Sequence, residues 1–387
     1  MPRVFEQLCE SLEYLTRDTC WIIGAGASFD CIGDGTTCVP LTASVLDPTF
    51  LASENIAKIH TLIDGAHLSS RNIETALGSQ LEITLDELRG LSGLDGDAAT
   101  EAQSLFLKLI SGIALTVTVG QDGIWKYKVP IEGYYALNYL LVVLFCTQLP
   151  RWSVITLNYD EALDWAFRIM LGGPFKPWPM QYARWMDMVE YGRITTRSRG
   201  GIYAKLHGSL GLSECLNMKC RNYRKPLGLN ANDRRFSGPA HLRKRFPIFI
   251  NHGPNKCPGC ELDSAPLLLP PGKNKSAEEG AFLEMVYRSA EWALAKSDNW
   301  LLLGYSFPQY DFDVRDLMKR AIRRRERANR SAPKLWVIAP DAPEIGQRVY
   351  DAVAISPRPI AATFSSFAQA IWPTGWPPTE CLPVSFD

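Results

Sequence analysis

Short apolar runs, each closed by glycine or small polar residues, alternate along this chain with segments of helical spacing. Thr19–Ile23 (TCWII), Ser153–Leu157 (SVITL), Ile202–Leu206 (IYAKL), Ala265–Leu269, Trp300–Leu303 and Lys334–Ile338 read as strands. Most are apolar along their length rather than alternating, as expected where both faces of a parallel sheet are covered. Tyr134–Gln148, Asp160–Met170, Ser276–Lys296 and Phe312–Arg330 have helical spacing. Strands separated by helices predict an α/β fold built on a doubly wound parallel sheet.

Two segments break the alternation. Residues 49–115 have helical spacing with several turn breaks, and residues 116–130 alternate around Gln121-Asp122-Gly123 as a hairpin would. Residues 215–260 are basic, cysteine-bearing and without periodicity. The expected organisation is a core from 1–48, 131–214 and 261–387, a mainly helical insert over 49–130, and a small metal-binding module over 215–260.

Five strands run into a polar or glycine cluster: Gly24-Ala25-Gly26-Ala27-Ser28, Asn158-Tyr159-Asp160, His207-Gly208-Ser209, Gly304-Tyr305-Ser306 and Ala339-Pro340-Asp341. In an open parallel sheet the carboxyl ends of the strands share one edge, where ligands bind. The five clusters are therefore expected around one crevice. The first turn is suited to a pyrophosphate, since its glycines let backbone N–H groups approach closely; the alternative is a purely structural turn. His207 is a candidate catalytic group from its place at the sheet edge. Asn158 reads either as a site residue or as the cap of the next helix, and Asp160 as the stronger cap.

Cys215-x4-Cys220 and Cys257-Pro-Gly-Cys260 stand 36 residues apart. Two close pairs of thiols suit one tetrahedral zinc ion, and four protein ligands leave no open position, so the metal would be structural. The alternatives are unligated thiols, or His241 or His252 in place of one ligand.

Composition narrows the class. The 387 residues carry 41 basic and 41 acidic side chains, with 46% hydrophobic and 21% charged residues. That is a folded chain, not a disordered one. The neutral balance argues against a protein that works mainly by wrapping nucleic acid. The spacer between the cysteine pairs nevertheless holds nine Lys or Arg against Asp233, and residues 319–330 hold seven against Glu326. Solvated surface is the favoured reading of both; contact with nucleic acid or an acidic partner is the alternative. The longest apolar run, Tyr134 to Cys146, is too short to span a bilayer, and the N-terminus lacks a signal-peptide core. The expectation is a soluble cytoplasmic protein with reduced thiols.

Taken in order, Gly24-Ala25-Gly26-Ala27-Ser28, a proline-bearing loop, Asn158-Tyr159-Asp160, Lys205-Leu206-His207-Gly208-Ser209, the two-pair cysteine module and Gly304-Tyr305-Ser306 resemble the sirtuin family over most of residues 15–345. Thr156-Leu-Asn-Tyr-Asp160 and Leu303-Gly-Tyr-Ser-Phe-Pro-x-x-Asp311 look closer to its divergent bacterial branch, several members of which consume NAD in anti-phage defence. The resemblance implies that Gly24, Ala25, Gly26 and Ser28 hold the NAD phosphates. Asn158 and Asp160 would line the nicotinamide–ribose pocket, His207 would be the catalytic histidine, and Gly304 and Ser306 would lie near the phosphates and ribose. Asp341 would hold the adenosine end.

Two departures separate the chain from sirtuin deacylases. The Gly-x-Pro-Asp-Phe-Arg stretch is replaced by Gly35-Thr-Thr-Cys-Val-Pro-Leu-Thr42, and the peptide-clamping Phe-Gly-Glu by Leu267-Leu-Leu-Pro-Pro-Gly272. The implied activity is hydrolysis of NAD to nicotinamide and ADP-ribose. The alternatives are NAD-dependent protein deacylation and an NAD or ADP-ribose sensor without turnover. An NAD hydrolase must be gated, so the expected partners beyond NAD are further copies of the chain, a HerA-type ATPase or a phage-derived activator.

Overall fold

The structure is a computed structural model. It describes residues 18–29, 153–158, 163, 202–215, 217, 219–223, 226–227, 256–262, 265–268, 281–308, 311–364 and 366–367. The expected helical insert at 49–130, the helix at 134–148 and all but Leu163 of the one at 160–170 lie outside these residues.

Six parallel strands form the main sheet. They are β1 (Thr19–Ile23), β2 (Ser153–Thr156), β3 (Ile202–Lys205), β7 (Asn299–Leu303), β8 (Lys334–Ala339) and β9 (Pro357–Ala361). Their order is β3-β2-β1-β7-β8-β9. Counting only these strands, that is 3-2-1-4-5-6, the order of doubly wound dinucleotide-binding sheets, with the chain reversing direction across the sheet between β1 and β7. The predicted fold class is the one observed.

The strands are apolar throughout because both faces are covered. Cys20 and Ile22 of β1, Trp300 and Leu302 of β7, and Leu335 and Val337 of β8 share one core. The alternate residues Trp21, Ile23, Leu301, Leu303, Trp336 and Ile338 are buried too, and Phe367 packs on Trp21 with ring centroids 6.1 Å apart. Each buried aliphatic side chain contributes about 1.5–3 kcal/mol.

The first core is roofed by α2 (Ala281–Lys296), α3 (Phe312–Arg327) and α4 (Ala342–Val353). In α3 the buried positions Val314, Leu317, Met318, Ala321 and Arg325 follow helical spacing. Arg325 is buried and clamps the end of α2 to the start of β7. Its guanidinium donates to the carbonyls of Ala295, Ser297 and Ser331 and to Asp298 Oδ1 at 3.1 Å. Arg330 donates to the same carboxylate oxygen at 2.7 Å.

α4 and β9 lie beyond the elements predicted from the sequence. α4 has Pro343 in its first turn and Gly346 at its centre, and β9 (PRPIA) holds two prolines in five residues. In β9, Pro357 and Pro359 fall on alternate positions of a strand that, among the described residues, stands at the sheet edge and pairs with β8 alone.

A second, three-stranded sheet, β5-β4-β6, is formed by β4 (Gly208–Glu214), β5 (Pro226–Leu227) and β6 (Ala265–Leu268). β4 starts directly after the β3 turn and is antiparallel to β6, with a bulge between Ser209 and Ser213. It delivers the chain to Cys215, which bridges to Tyr223. Among the described residues no helix is long and apolar enough to cross a membrane.

Candidate functional site

Because all six main strands are parallel, β1, β2, β3, β7 and β8 end at the same edge, and the five predicted clusters follow those ends. The strand ladders run just past the formal strands. Leu157 N–H donates to Ile23 O at 3.0 Å, and Leu206 N–H to Thr156 O at 3.0 Å. Asn158 and His207 are each the next residue along, so both stand at the lip of the sheet, and both are buried. Asn158 N–H is turned back onto Thr156 Oγ1 at 3.2 Å.

The Gly24–Ala27 turn meets the end of β7 backbone to backbone. Gly24 N–H donates to Leu303 O at 3.0 Å, Gly26 N–H to Gly304 O at 2.9 Å, and Ala27 N–H to Gly24 O at 3.0 Å. A Cβ on Gly24 would lie 2.6 Å from Tyr305 Cα, and one on Gly26 would lie 2.8 Å from Gly304 O. Only glycine permits this approach. The turn thus locks the first strand to the fourth parallel strand at the point where the sheet order reverses. Ala25 opens the five-residue helix α1 (Ala25–Phe29), whose Ser28 side chain lies outside the described residues, as does Asp160.

From Gly304 the chain makes a tight return. Gly304 and Phe307 both have positive φ, 59° and 50°. For phenylalanine that conformation is strained by about 1 kcal/mol or more. It is held by edge-on packing against Tyr305, with centroids 5.8 Å apart, and by the Arg315 guanidinium 5.1 Å from the Phe307 ring centre. Ser306 is exposed. The turn closes with Asp311 N–H donating to Pro308 O at 3.3 Å.

Asp311 is the site residue to which sequence reasoning gave no role, although it ends the Leu303–Asp311 motif. It stands at the N-cap of α3, where an aspartate normally accepts the first free N–H groups of the helix. Here its side chain makes no such bond. Instead Oδ2 accepts the Tyr305 hydroxyl at 2.6 Å, and Oδ1 lies 3.5 Å from His207 Nε2. Burial, reinforced by the Asp311 charge, pushes the Tyr305 hydroxyl well above its ordinary range, so it remains a donor. The three groups come from the β7 end, the start of α3 and the β3–β4 turn. Asp341 is half-exposed at the N-cap of α4, with Oδ2 3.7 Å from Arg348 Nη2.

Cys215, Cys220, Cys257 and Cys260 come together with all four Sγ atoms within 4.8 Å of one another. The Cys215–Cys260 and Cys220–Cys257 separations are 3.7 and 3.6 Å. Four thiolates about 2.3 Å from one tetrahedral ion would stand about 3.8 Å apart, so the set fits such an ion. Asn222 N–H points at Cys220 Sγ at 3.3 Å, and Gly259 N–H at Cys257 Sγ at 3.4 Å. Burial pushes the Cys257 thiol up, but the Gly259 N–H, the Asn222 side chain and Cys215 outweigh it and bring it down to about 6. These N–H groups favour thiolate sulfur, the form that ligates metal.

The chain is similar to solved Sir2 structures. One, described as bearing on the mechanism and regulation of Sir2 enzymes, aligns at 12% identity and TM-score 0.41 over 95% of this chain and 97% of that one. A Sir2 structure with p53 peptide and NAD+ aligns at 15% identity and TM-score 0.41, covering 94% and 95%. Sir2Tm bound to a propionylated peptide aligns at 16% identity and TM-score 0.40, covering 95% and 96%. No family model matches the sequence, and no curated protein does. The fold class therefore rests on the strand order itself.

Proposed function

We propose that this chain is a sirtuin-like NAD hydrolase that releases nicotinamide and ADP-ribose. The observation that carries the reading is the meeting of three features at one sheet edge: the glycine-locked β1–β7 switch point, buried Asn158, and buried His207 backed by a carboxylate. A dinucleotide fits the crevice outside a switch point.

The chemistry asks little of an acid. Nicotinamide leaves a cationic N-glycoside as a neutral base, taking the bonding electron pair. What remains is oxocarbenium-like, so the protein must hold the ribose and place a water against it. Asn158 orients the carboxamide or that water. His207 accepts the water's proton as its oxygen bonds to the anomeric carbon, or hydrogen-bonds a ribose hydroxyl. Gly24, Ala25, Gly26, Ser28, Gly304 and Ser306 bound the phosphate and ribose side, Asp160 supports the Asn158 pocket, and Asp341 the adenosine end.

Residues 1–48, 131–214 and 261–387 form the NAD-binding core in this reading, with the helical insert at 49–130 and a structural zinc module at 215–260. Zinc would hold the four cysteines together and take no part in the reaction. Resemblance to the bacterial defence branch supports a role as a gated anti-phage effector, activated by self-association, a HerA-type ATPase or a phage component.

The test is incubation of purified protein with NAD, with and without the product of the neighbouring gene, followed by chromatography of products. Nicotinamide and ADP-ribose in equal amounts support the proposal. O-acyl-ADP-ribose formed from an acylated peptide would replace it with deacylation. Tight NAD binding without turnover would replace it with sensing.

A further inference from the structure

We infer that Asp311 is a positioning residue that fixes the orientation and tautomer of His207, and that Tyr305 in turn fixes Asp311. This assignment deepens the reading above, in which His207 is the base. Asp311 departs from its local role: at the N-cap of α3 it leaves the helix N–H groups uncapped by its side chain and turns toward the sheet edge. Its two oxygens are divided. Oδ2 accepts from the Tyr305 hydroxyl at 2.6 Å, which leaves Oδ1 facing His207 Nε2 at 3.5 Å. Asp311, His207 and Tyr305 are all buried, so water screens the interaction weakly.

The chemical consequence is specific. A carboxylate facing Nε2 favours the tautomer with hydrogen on Nε2 and leaves Nδ1 as the basic nitrogen. It also stabilises the imidazolium that forms when Nδ1 takes a proton. Contacts of this kind are often long in unliganded enzymes and tighten when substrate is bound. The strained Phe307 turn fits the same purpose, because the return from Gly304 brings Asp311 back toward the sheet edge. Local rules broken without a stability gain mark such sites.

The experiment combines imidazole NMR with kinetics on the full chain. In 15N-labelled protein, long-range proton–nitrogen correlations report which nitrogen of His207 carries hydrogen, with His207→Gln assigning the signal among the five histidines. Wild-type protein should show hydrogen on Nε2. Asp311→Asn should change that pattern and lower kcat for nicotinamide release by about 10²- to 10⁴-fold, with KM little changed. An unchanged His207 pattern in Asp311→Asn overturns the assignment. If Asp311→Asn does not fold, Tyr305→Phe keeps the carboxylate and removes its donor. It should shift the His207 signals, and unshifted signals would equally overturn the assignment. If wild-type protein releases no nicotinamide, the hydrolase reading fails, while the tautomer comparison still decides the role of Asp311.

Discussion

Gly304 stands directly against Ala27: a Cβ built at position 304 would lie 2.3 Å from the Ala27 amide nitrogen. This contact holds the end of β7 directly against the turn after β1 at the switch point. Gly304 also has φ 59°, which side-chain-bearing residues rarely adopt. Gly304→Ala is expected to cost about 1–3 kcal/mol from backbone strain, with the clash added. A fall in the denaturant midpoint, together with loss of NAD binding by calorimetry, checks it.

His207→Ala and Asn158→Ala should leave the fold intact, since each side chain sits at the lip of the sheet beyond the strand ladders. Each is expected to slow NAD consumption by about 10²- to 10⁴-fold. Single-turnover assays on variants with wild-type circular dichroism measure this. Turnover at the wild-type rate would remove the residue from the mechanism.

Much of this site is legible in the sequence, because a parallel sheet converts five distant motifs into neighbours by topology alone. The N–H groups of Gly24 and Gly26 were another matter. Their glycine spacing reads as a phosphate cradle, yet both donors are taken by Leu303 and Gly304, which only the strand register reveals. Asp311 was hidden for a local reason: an aspartate before a helix reads as a cap. Its diversion to Tyr305 and His207 depends on elements far apart in the chain. α4 and β9 were obscured by Pro343, Gly346, Pro357 and Pro359, whose weak propensities are overridden by packing on β8.

The Arg325 clamp gives a pH prediction. Burial pushes the Asp298 carboxyl up, but hydrogen bonds and charge from Arg330 and Arg325 outweigh it, so its pKa lies below the ordinary 3.8. A group depressed in the folded state stabilises fully above its unfolded pKa, and that contribution is lost as pH falls through the folded value. The stability gap between wild type and Asp298→Asn should therefore be constant near neutrality and close below about pH 4. Urea midpoints across that range test it.

Arg325→Met removes the donor shared by the Ala295, Ser297 and Ser331 carbonyls. The buried Ala295 and Ser297 acceptors, left without this partner, cost about 1–3 kcal/mol each, so the variant should lose several times the stability lost by Arg324→Met, whose guanidinium is exposed. Thermal melts of the two variants make the comparison.

Elemental analysis should find one zinc ion per chain, lost in Cys257→Ser or after prolonged chelation. Removing the ion is expected to lower the melting temperature, because the binding free energy that ties the two cysteine pairs together in the folded chain is lost with it.

The outer edge of β9 carries a further consequence. In a parallel pair, alternate residues direct their N–H groups to opposite sides, and Pro357 and Pro359 share one side with Ala361. Arg358 and Ile360 supply the bonds to β8, so the side facing away from the sheet is nearly stripped of donors. A seventh strand from another molecule would find almost nothing to pair with there. Among the described residues the sheet thus resists edge-to-edge growth on this flank without a covering element, and the self-association proposed above as a gate would have to be built on other contacts.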